Sequence, residues 1–104
     1  KAFPNAMTYT SMLSACASDG SWEAALCLLD LMTHQQVKQE APAFNATISA
    51  CEKGDQWEQA LSLFEVLKES RICPTVISYS ATISACEKSG QWQQALNLFH
   101  QMPT

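Results

Sequence analysis

Cysteine and histidine are the side chains of this sequence best suited to metal binding or thiol chemistry, since it has five cysteines and two histidines. Cys27 and Cys73 lack the spacing of a zinc site, and His34 and His100 are isolated from one another. We see no paired carboxylates, no Cys/His or Ser/His arrangement and no glycine-rich phosphate loop. The sequence therefore predicts a protein that is not an enzyme and has no metal, cofactor or small-molecule substrate.

The remaining cysteines, Cys16, Cys51 and Cys86, recur at a constant interval of 35 residues. Other residues keep the same interval: Tyr9, Phe44 and Tyr79; Trp22, Trp57 and Trp92; Leu26, Leu61 and Leu96. A fixed interval of this size is typical of a stacked array of repeats. Equivalent positions of packed helices lie about 8 to 10 Å apart, beyond the ~7 Å between the α-carbons of a disulfide. We therefore expect these cysteines to be reduced, buried core residues.

The second unit has the apolar pattern of a first helix. Phe44, Ile48 and Cys51 follow the spacing i, i+4, i+7, which predicts a helix from about Ala43 to Lys53. The break that follows is too short for anything but a tight turn. Two helices joined in this way pack antiparallel, as a helical hairpin.

A second helix follows the break, with an apolar stripe from Trp57 to Leu67. Asp55, three residues before Glu58, predicts a capping box at its start. Pro74 cannot continue a helix and closes the unit in a loop. The predicted fold class is therefore all-α: an α-solenoid, wound as a right-handed superhelix, of stacked antiparallel helical hairpins.

Short motifs recur along the whole chain. They are an aromatic followed by a small polar residue in each first helix, a later Ala-Cys pair, Ala-Leu and Leu-Phe pairs in second helices, and Pro4 and Pro74 near unit ends. In these motifs the chain resembles the pentatricopeptide repeat family. Tetratricopeptide repeats are different, with a period of about 34 residues and a W-x2-L-G-x2-Y pattern in the first helix. Here Trp opens the second helix instead.

The resemblance implies a division of the chain into units. One solenoid domain, residues 1–104, comprises the units 6–40, 41–75 and 76–104, the last of which is truncated. Residues 1–5 are then the tail of a preceding unit, and the chain is a fragment of a longer array. Gln39 departs from the family pattern, which usually has a loop proline there, and so do the aromatic Trp residues early in the second helices.

Proteins of this family bind single-stranded RNA at about one base per unit, through hydrogen bonds to the base edge. The resemblance implies six base-edge residues: Thr10, Asn45 and Ser80 after the aromatics, and Asn5, Glu40 and Thr75 at unit ends. By the same analogy a hydroxyl selects a purine and Asn a pyrimidine, giving purine, pyrimidine, purine from the N to the C terminus. The alternative is that these polar residues only lie on a solvated helix face.

The resemblance also implies residues that contact base faces and phosphates. Met7, Pro42 and Ile77, two residues before each aromatic, correspond to positions that sandwich neighbouring bases. Packing between units is the alternative role for these three. Lys53 and Lys88, at the ends of two first helices, match a phosphate-contacting position. Their alternative role is a solvated helix end, where a positive charge suits the helix dipole.

The net charge of −4 argues against strong nonspecific attraction to nucleic acid, although most acidic residues fall in the second helices. Two functions therefore stay open. The first is sequence-specific binding of single-stranded RNA in organellar RNA processing, stability or translation, and the second is a scaffold that binds a peptide or another protein. No apolar run is long enough to span a membrane. The sequence does not specify a localisation, whereas the resemblance implies a mitochondrion or plastid.

Overall fold

Six α-helices make up the part of the chain that the computed structural model describes, residues 6–35, 41–70 and 72–102. They are α1 (Ala6–Asp19), α2 (Trp22–His34), α3 (Ala41–Lys53), α4 (Trp57–Glu69), α5 (Val76–Lys88) and α6 (Trp92–Gln101). These described ranges contain no strand. The prediction of an all-α fold is confirmed.

The helices pack as three consecutive antiparallel pairs. Each first helix contacts the second helix of its own pair, and α1, α3 and α5 contact one another in sequence to form a continuous layer. Each of α2 and α4 also contacts the first helix of the following pair. The result is an elongated α-solenoid with extents of 48 × 27 × 18 Å. This repetitive stacking places equivalent residues of successive pairs along one side of the molecule.

The core lies between the two layers of helices. Phe44, Ile48 and Cys51, the residues that predicted α3, are all essentially inaccessible to solvent. Phe64 of α4 packs edge-on against Tyr79 of α5, with ring centroids 4.9 Å apart, and so joins two pairs. Burial of these large side chains supplies most of the stabilising free energy of such an array.

Two of the three periodic cysteines are buried as predicted. Cys51 and Cys86 are fully buried, whereas Cys16 is half-buried. The helices α3 and α5 each pack against a preceding helix pair, which α1 lacks among the described residues. This difference explains why the equivalent cysteine of α1 is more accessible.

The turn between α3 and α4 differs from the predicted capping box. Gln56 is the N-cap of α4, and its side chain makes no capping hydrogen bond. Asp55 instead has a left-handed backbone, with φ of 60°, at the position where Gly20 and Gly90 have φ of 73° and 76°. The predicted cap by Asp55 and Glu58 is wrong, because Asp55 closes the end of α3 and a capping side chain needs an extended backbone.

Candidate nucleic-acid interface

An open groove of about 340 Å³ lies along the layer of first helices. It is lined by small polar and apolar side chains of α1 and α3 together with one residue of α5: Thr10, Ser14, Ala17, Pro42, Asn45, Ala46, Ser49 and Ile77. Four residues singled out in the sequence are among them. The structure thus brings two base-edge candidates, Thr10 and Asn45, and two base-sandwiching candidates, Pro42 and Ile77, around one concave surface.

The three base-sandwiching candidates occupy the same place in successive first helices. Met7, Pro42 and Ile77 are each the second residue of their helix, and all three are exposed. Met7 is 76% exposed and Ile77 61% exposed. Packing between units therefore does not bury these side chains, and their apolar surface is available to a ligand.

The amide of Asn45 is held by the N-terminal end of α5. Its Nδ2 donates to Thr75 Oγ1 at 3.1 Å, and its Oδ1 accepts a hydrogen bond from the Ser78 hydroxyl. Asn45 is only 8% exposed. The structure therefore joins Asn45 and Thr75, the two base-edge candidates of the second unit, by a direct hydrogen bond across 30 residues of sequence.

Thr75 and Ser78 form a capping box at the start of α5. The Ser78 N–H donates to Thr75 Oγ1 at 3.3 Å, and the Thr75 N–H donates to Ser78 Oγ at 3.1 Å. Ser78 was not among the site residues predicted from the sequence. The sequence signal for this capping box is Ser78 three residues after Thr75, just before an apolar helix. This signal is weak because Glu or Gln normally occupies the second position of a capping box.

The other base-edge candidates are less confined. Thr10 is half-buried in the groove wall, and Ser80 is exposed at the equivalent position of α5. Asn5 and Glu40 lie outside the described residues. The roles of all six base-edge candidates in base contact stay predictions.

The two phosphate candidates differ in their surroundings. Lys53 and Lys88 are the exposed last residues of α3 and α5. Lys88 Nζ forms an ion pair of 2.6 Å with Glu52 Oε2, which also accepts a 3.5 Å hydrogen bond from Ser84. The hydrogen bond that Lys88 donates to Glu52, together with the negative charge of that carboxylate, raises the pKa of Lys88. Part of the positive charge of Lys88 is thus already compensated within the protein.

The groove is uncharged, and half of the acidic residues of the chain lie in second helices. The described residues that line the groove are all uncharged. Exposed carboxylates instead populate the second helices α2 and α4: Glu23, Asp30, Glu58, Glu65 and Glu69. The net charge of −4 therefore describes mainly the outer layer, and repulsion of a polyanion at the groove is weaker than that value implies.

In the described part of the chain, no group of three or more His, Cys, Asp or Glu side chains could hold a metal ion. None of the helices that the structure describes is long and apolar enough to cross a membrane.

Known structures share this architecture. The chain is similar to the crystal structure of the pentatricopeptide repeat protein PPR10 from maize, with 28% sequence identity and a TM-score of 0.87. The similarity covers 97% of this chain and 14% of that one, so the present chain spans a small part of the length of its relative. No curated protein matches the sequence.

Two family descriptions match the sequence itself. The pentatricopeptide repeat domain matches residues 28–89, more than half of the chain. The shorter PPR repeat matches residues 7–37 and 77–104, on either side of the middle of that region. Together these matches cover nearly all of the periodic sequence from which the helices were predicted. The chain belongs to the pentatricopeptide repeat family.

Proposed function

We propose that this chain binds single-stranded RNA along the groove of α1, α3 and α5, at about one base per unit. The observation that carries the proposal is that one uncharged groove gathers base-edge and base-sandwiching candidates from successive units. A linear polymer with regularly spaced bases fits a surface on which equivalent side chains repeat.

The second unit offers the most complete site for a base. Pro42 and Ile77, from the first turns of α3 and α5, line the same groove as Asn45. Their exposed apolar surfaces suit the two faces of a base, while the Asn45 amide can both donate to and accept from its edge. In this arrangement Thr75 is the hydrogen-bonding partner of Asn45.

The proposed order of bases is purine at Thr10, pyrimidine at Asn45 and purine at Ser80. Thr10 and Ser80 would contribute hydroxyls at the positions where Asn45 contributes an amide. Lys53 and Lys88 are the proposed phosphate contacts at the ends of α3 and α5. We further propose that the units 6–40, 41–75 and 76–104 act as a passive specificity module for RNA processing, stability or translation in a mitochondrion or plastid.

The proposal is tested by fluorescence anisotropy of labelled single-stranded RNA oligonucleotides at low salt. We expect the tightest binding to RNA with the order purine, pyrimidine, purine, and weaker binding when the central base is a purine. Asn45→Ala should weaken binding, whereas Asn97→Ala, the same change at an exposed position on α6, should not. Circular dichroism of both variants would verify that the helices are retained.

The outcome that would overturn the proposal is equally specific. If the wild-type chain retains no single-stranded RNA at low salt but binds a peptide or protein ligand through the same groove, the scaffold function is correct instead.

A further inference from the structure

Ser78 is a polar residue of the candidate site that RNA cannot reach. It is 0% exposed in the first turn of α5, yet its hydroxyl bonds to the side chain of Asn45. A hydroxyl has one hydrogen to donate and two lone pairs to accept with. Any effect of Ser78 on a bound base must therefore be transmitted through the residues that it bonds to, Asn45 and Thr75.

Hydrogen bonds hold the Asn45 amide on both sides. Ser78 Oγ accepts from the Thr75 N–H, and its hydroxyl donates to Asn45 Oδ1. Thr75 Oγ1 accepts from the Asn45 Nδ2 on the other side of the amide. Removal of the Ser78 hydroxyl would take away the hydrogen bond at Oδ1 and leave the amide held by Thr75 alone.

A fixed amide presents a fixed pattern to the groove. Of the two N–H groups and two carbonyl lone pairs of Asn45, one of each is used by Thr75 and Ser78. Asn45 lines the groove, so the remaining donor and acceptor are the groups that contact the base in the proposed complex. A base whose edge matches this order can bond to both groups, whereas a base with the opposite order leaves polar atoms unpaired.

The residue equivalent to Ser78 in the preceding unit has no side-chain hydroxyl. Ala43 stands 35 residues before Ser78, at the equivalent position next to the unit of Thr10. Ala43 is buried like Ser78 but has no hydroxyl. A hydrogen bond like that of Ser78 to Asn45 is therefore not possible at Ala43, although the helices of both units stack in the same way.

We infer that Ser78 is a positioning residue, which fixes the orientation of the Asn45 amide from the neighbouring unit and thereby sets base selectivity at the second unit. This inference rests on the proposed binding of single-stranded RNA. Base selectivity would then depend on a buried hydroxyl of the following unit as well as on the side chains that face the base.

The test measures selectivity at two bases separately. Binding of the 104-residue chain is compared for RNA oligonucleotides that differ only in the base opposite Asn45, and then for oligonucleotides that differ only opposite Thr10. For Ser78→Ala we expect the pyrimidine-to-purine preference opposite Asn45 to fall roughly tenfold, the effect of about one hydrogen bond. The preference opposite Thr10 should stay unchanged.

Two further variants separate positioning from folding. Ser78→Cys keeps nearly the same volume but replaces the hydroxyl with a weak donor, so it should lose selectivity even if Ser78→Ala does not fold. Ser78→Thr keeps the hydroxyl and should therefore retain the selectivity of the wild-type chain.

Unchanged selectivity opposite Asn45 in the Ala and Cys variants would overturn the inference while RNA binding itself stands. Equal losses opposite Asn45 and Thr10 would also overturn it, because they would indicate a general loosening of the array. Failure of the wild-type chain to bind RNA would instead overturn the proposed function, and this inference with it.

Discussion

Glu52 of α3 and Lys88 of α5 form an ion pair of 2.6 Å that joins neighbouring helix pairs. Glu52 is the more buried partner, with 16% of its side chain exposed against 46% for Lys88. The position of the first unit equivalent to Glu52 is Ala17, which carries no charge. Lys53 and Lys88 have the same place in their repeats, but the position that Glu52 occupies for Lys88 is occupied by Ala17 for Lys53. The two lysines therefore differ in the positive charge that they can offer a phosphate.

We predict that the two lysines contribute unequally to RNA binding. Lys53→Ala should reduce the slope of log K against log salt by about 0.7, the value for one phosphate contact with a single strand. Lys88→Ala should reduce it less, because Glu52 already compensates part of its charge. Anisotropy titrations at several salt concentrations measure both slopes, and equal reductions would contradict the prediction.

We predict that a side chain at position 54 destabilises the fold, because it would overlap Trp22. A Cβ at position 54 would overlap Trp22 Cδ1 and would also lie 3.2 Å from the Gly20 carbonyl oxygen. Gly54→Ala should therefore lower the free energy of unfolding by about 1 to 3 kcal/mol, the usual cost of overpacking.

Gly90→Ala is the matched control for this overlap, since a Cβ there meets nothing within 4 Å and only the backbone, with φ of +76°, is strained. In a Trp22→Ala background the penalty of Gly54→Ala should shrink and that of Gly90→Ala should not. Urea unfolding of the single and double variants measures both couplings. Equal penalties with and without Trp22 would show that the indole is not the cause.

Phe64 and Phe99 occupy equivalent positions but should differ in their contribution to stability. Phe64 is fully buried against Tyr79, so Phe64→Ala should cost about 3 to 5 kcal/mol. Phe99 is 63% exposed, and Phe99→Ala should cost less than about 1 kcal/mol. Thermal or urea unfolding of both variants checks this, and similar losses would show that burial does not determine the difference.

Cys51 should make the fold less stable at alkaline pH. Burial raises the pKa of its thiol from 9.0 to about 11. Between these values the unfolded chain releases the proton and the folded chain keeps it, so the free energy of unfolding falls by about 1.4 kcal/mol per pH unit. This contribution is fully present below pH 9.0 and is lost as the pH rises towards about 11.

The measurement is urea unfolding at pH values of about 8 and about 10.5, on either side of the ordinary thiol pKa. Cys51→Ala should lose less stability between the two than the wild-type chain. Some alkaline loss should persist in this variant, because burial raises the pKa of Cys86 as well. Cys27→Ala, at an exposed position, should behave as the wild type. An unchanged pH dependence in Cys51→Ala would contradict the assignment.

The helices were predictable because their causes are local. The apolar spacing of Phe44, Ile48 and Cys51 predicted a helix ending at Lys53, and α3 does end there. Helical hydrogen bonds join residues four apart, so residue types within a short window carry the information. The turn at Asp55 was mispredicted because a capping side chain and a left-handed turn residue have similar sequence signals, and only the backbone angle separates them.

By itself the sequence determined the period of 35 residues, the apolar faces of the helices and the positions where Thr10 and Asn45 recur. Only the tertiary structure decided that Ser78 holds the Asn45 amide and that Glu52 compensates Lys88. Ser78 and Asn45 are 33 residues apart in the sequence. Both this contact and the Glu52–Lys88 contact join one helix pair to the next. Such contacts depend on distances of a few ångströms between packed helices, which residue types and periodicity do not specify.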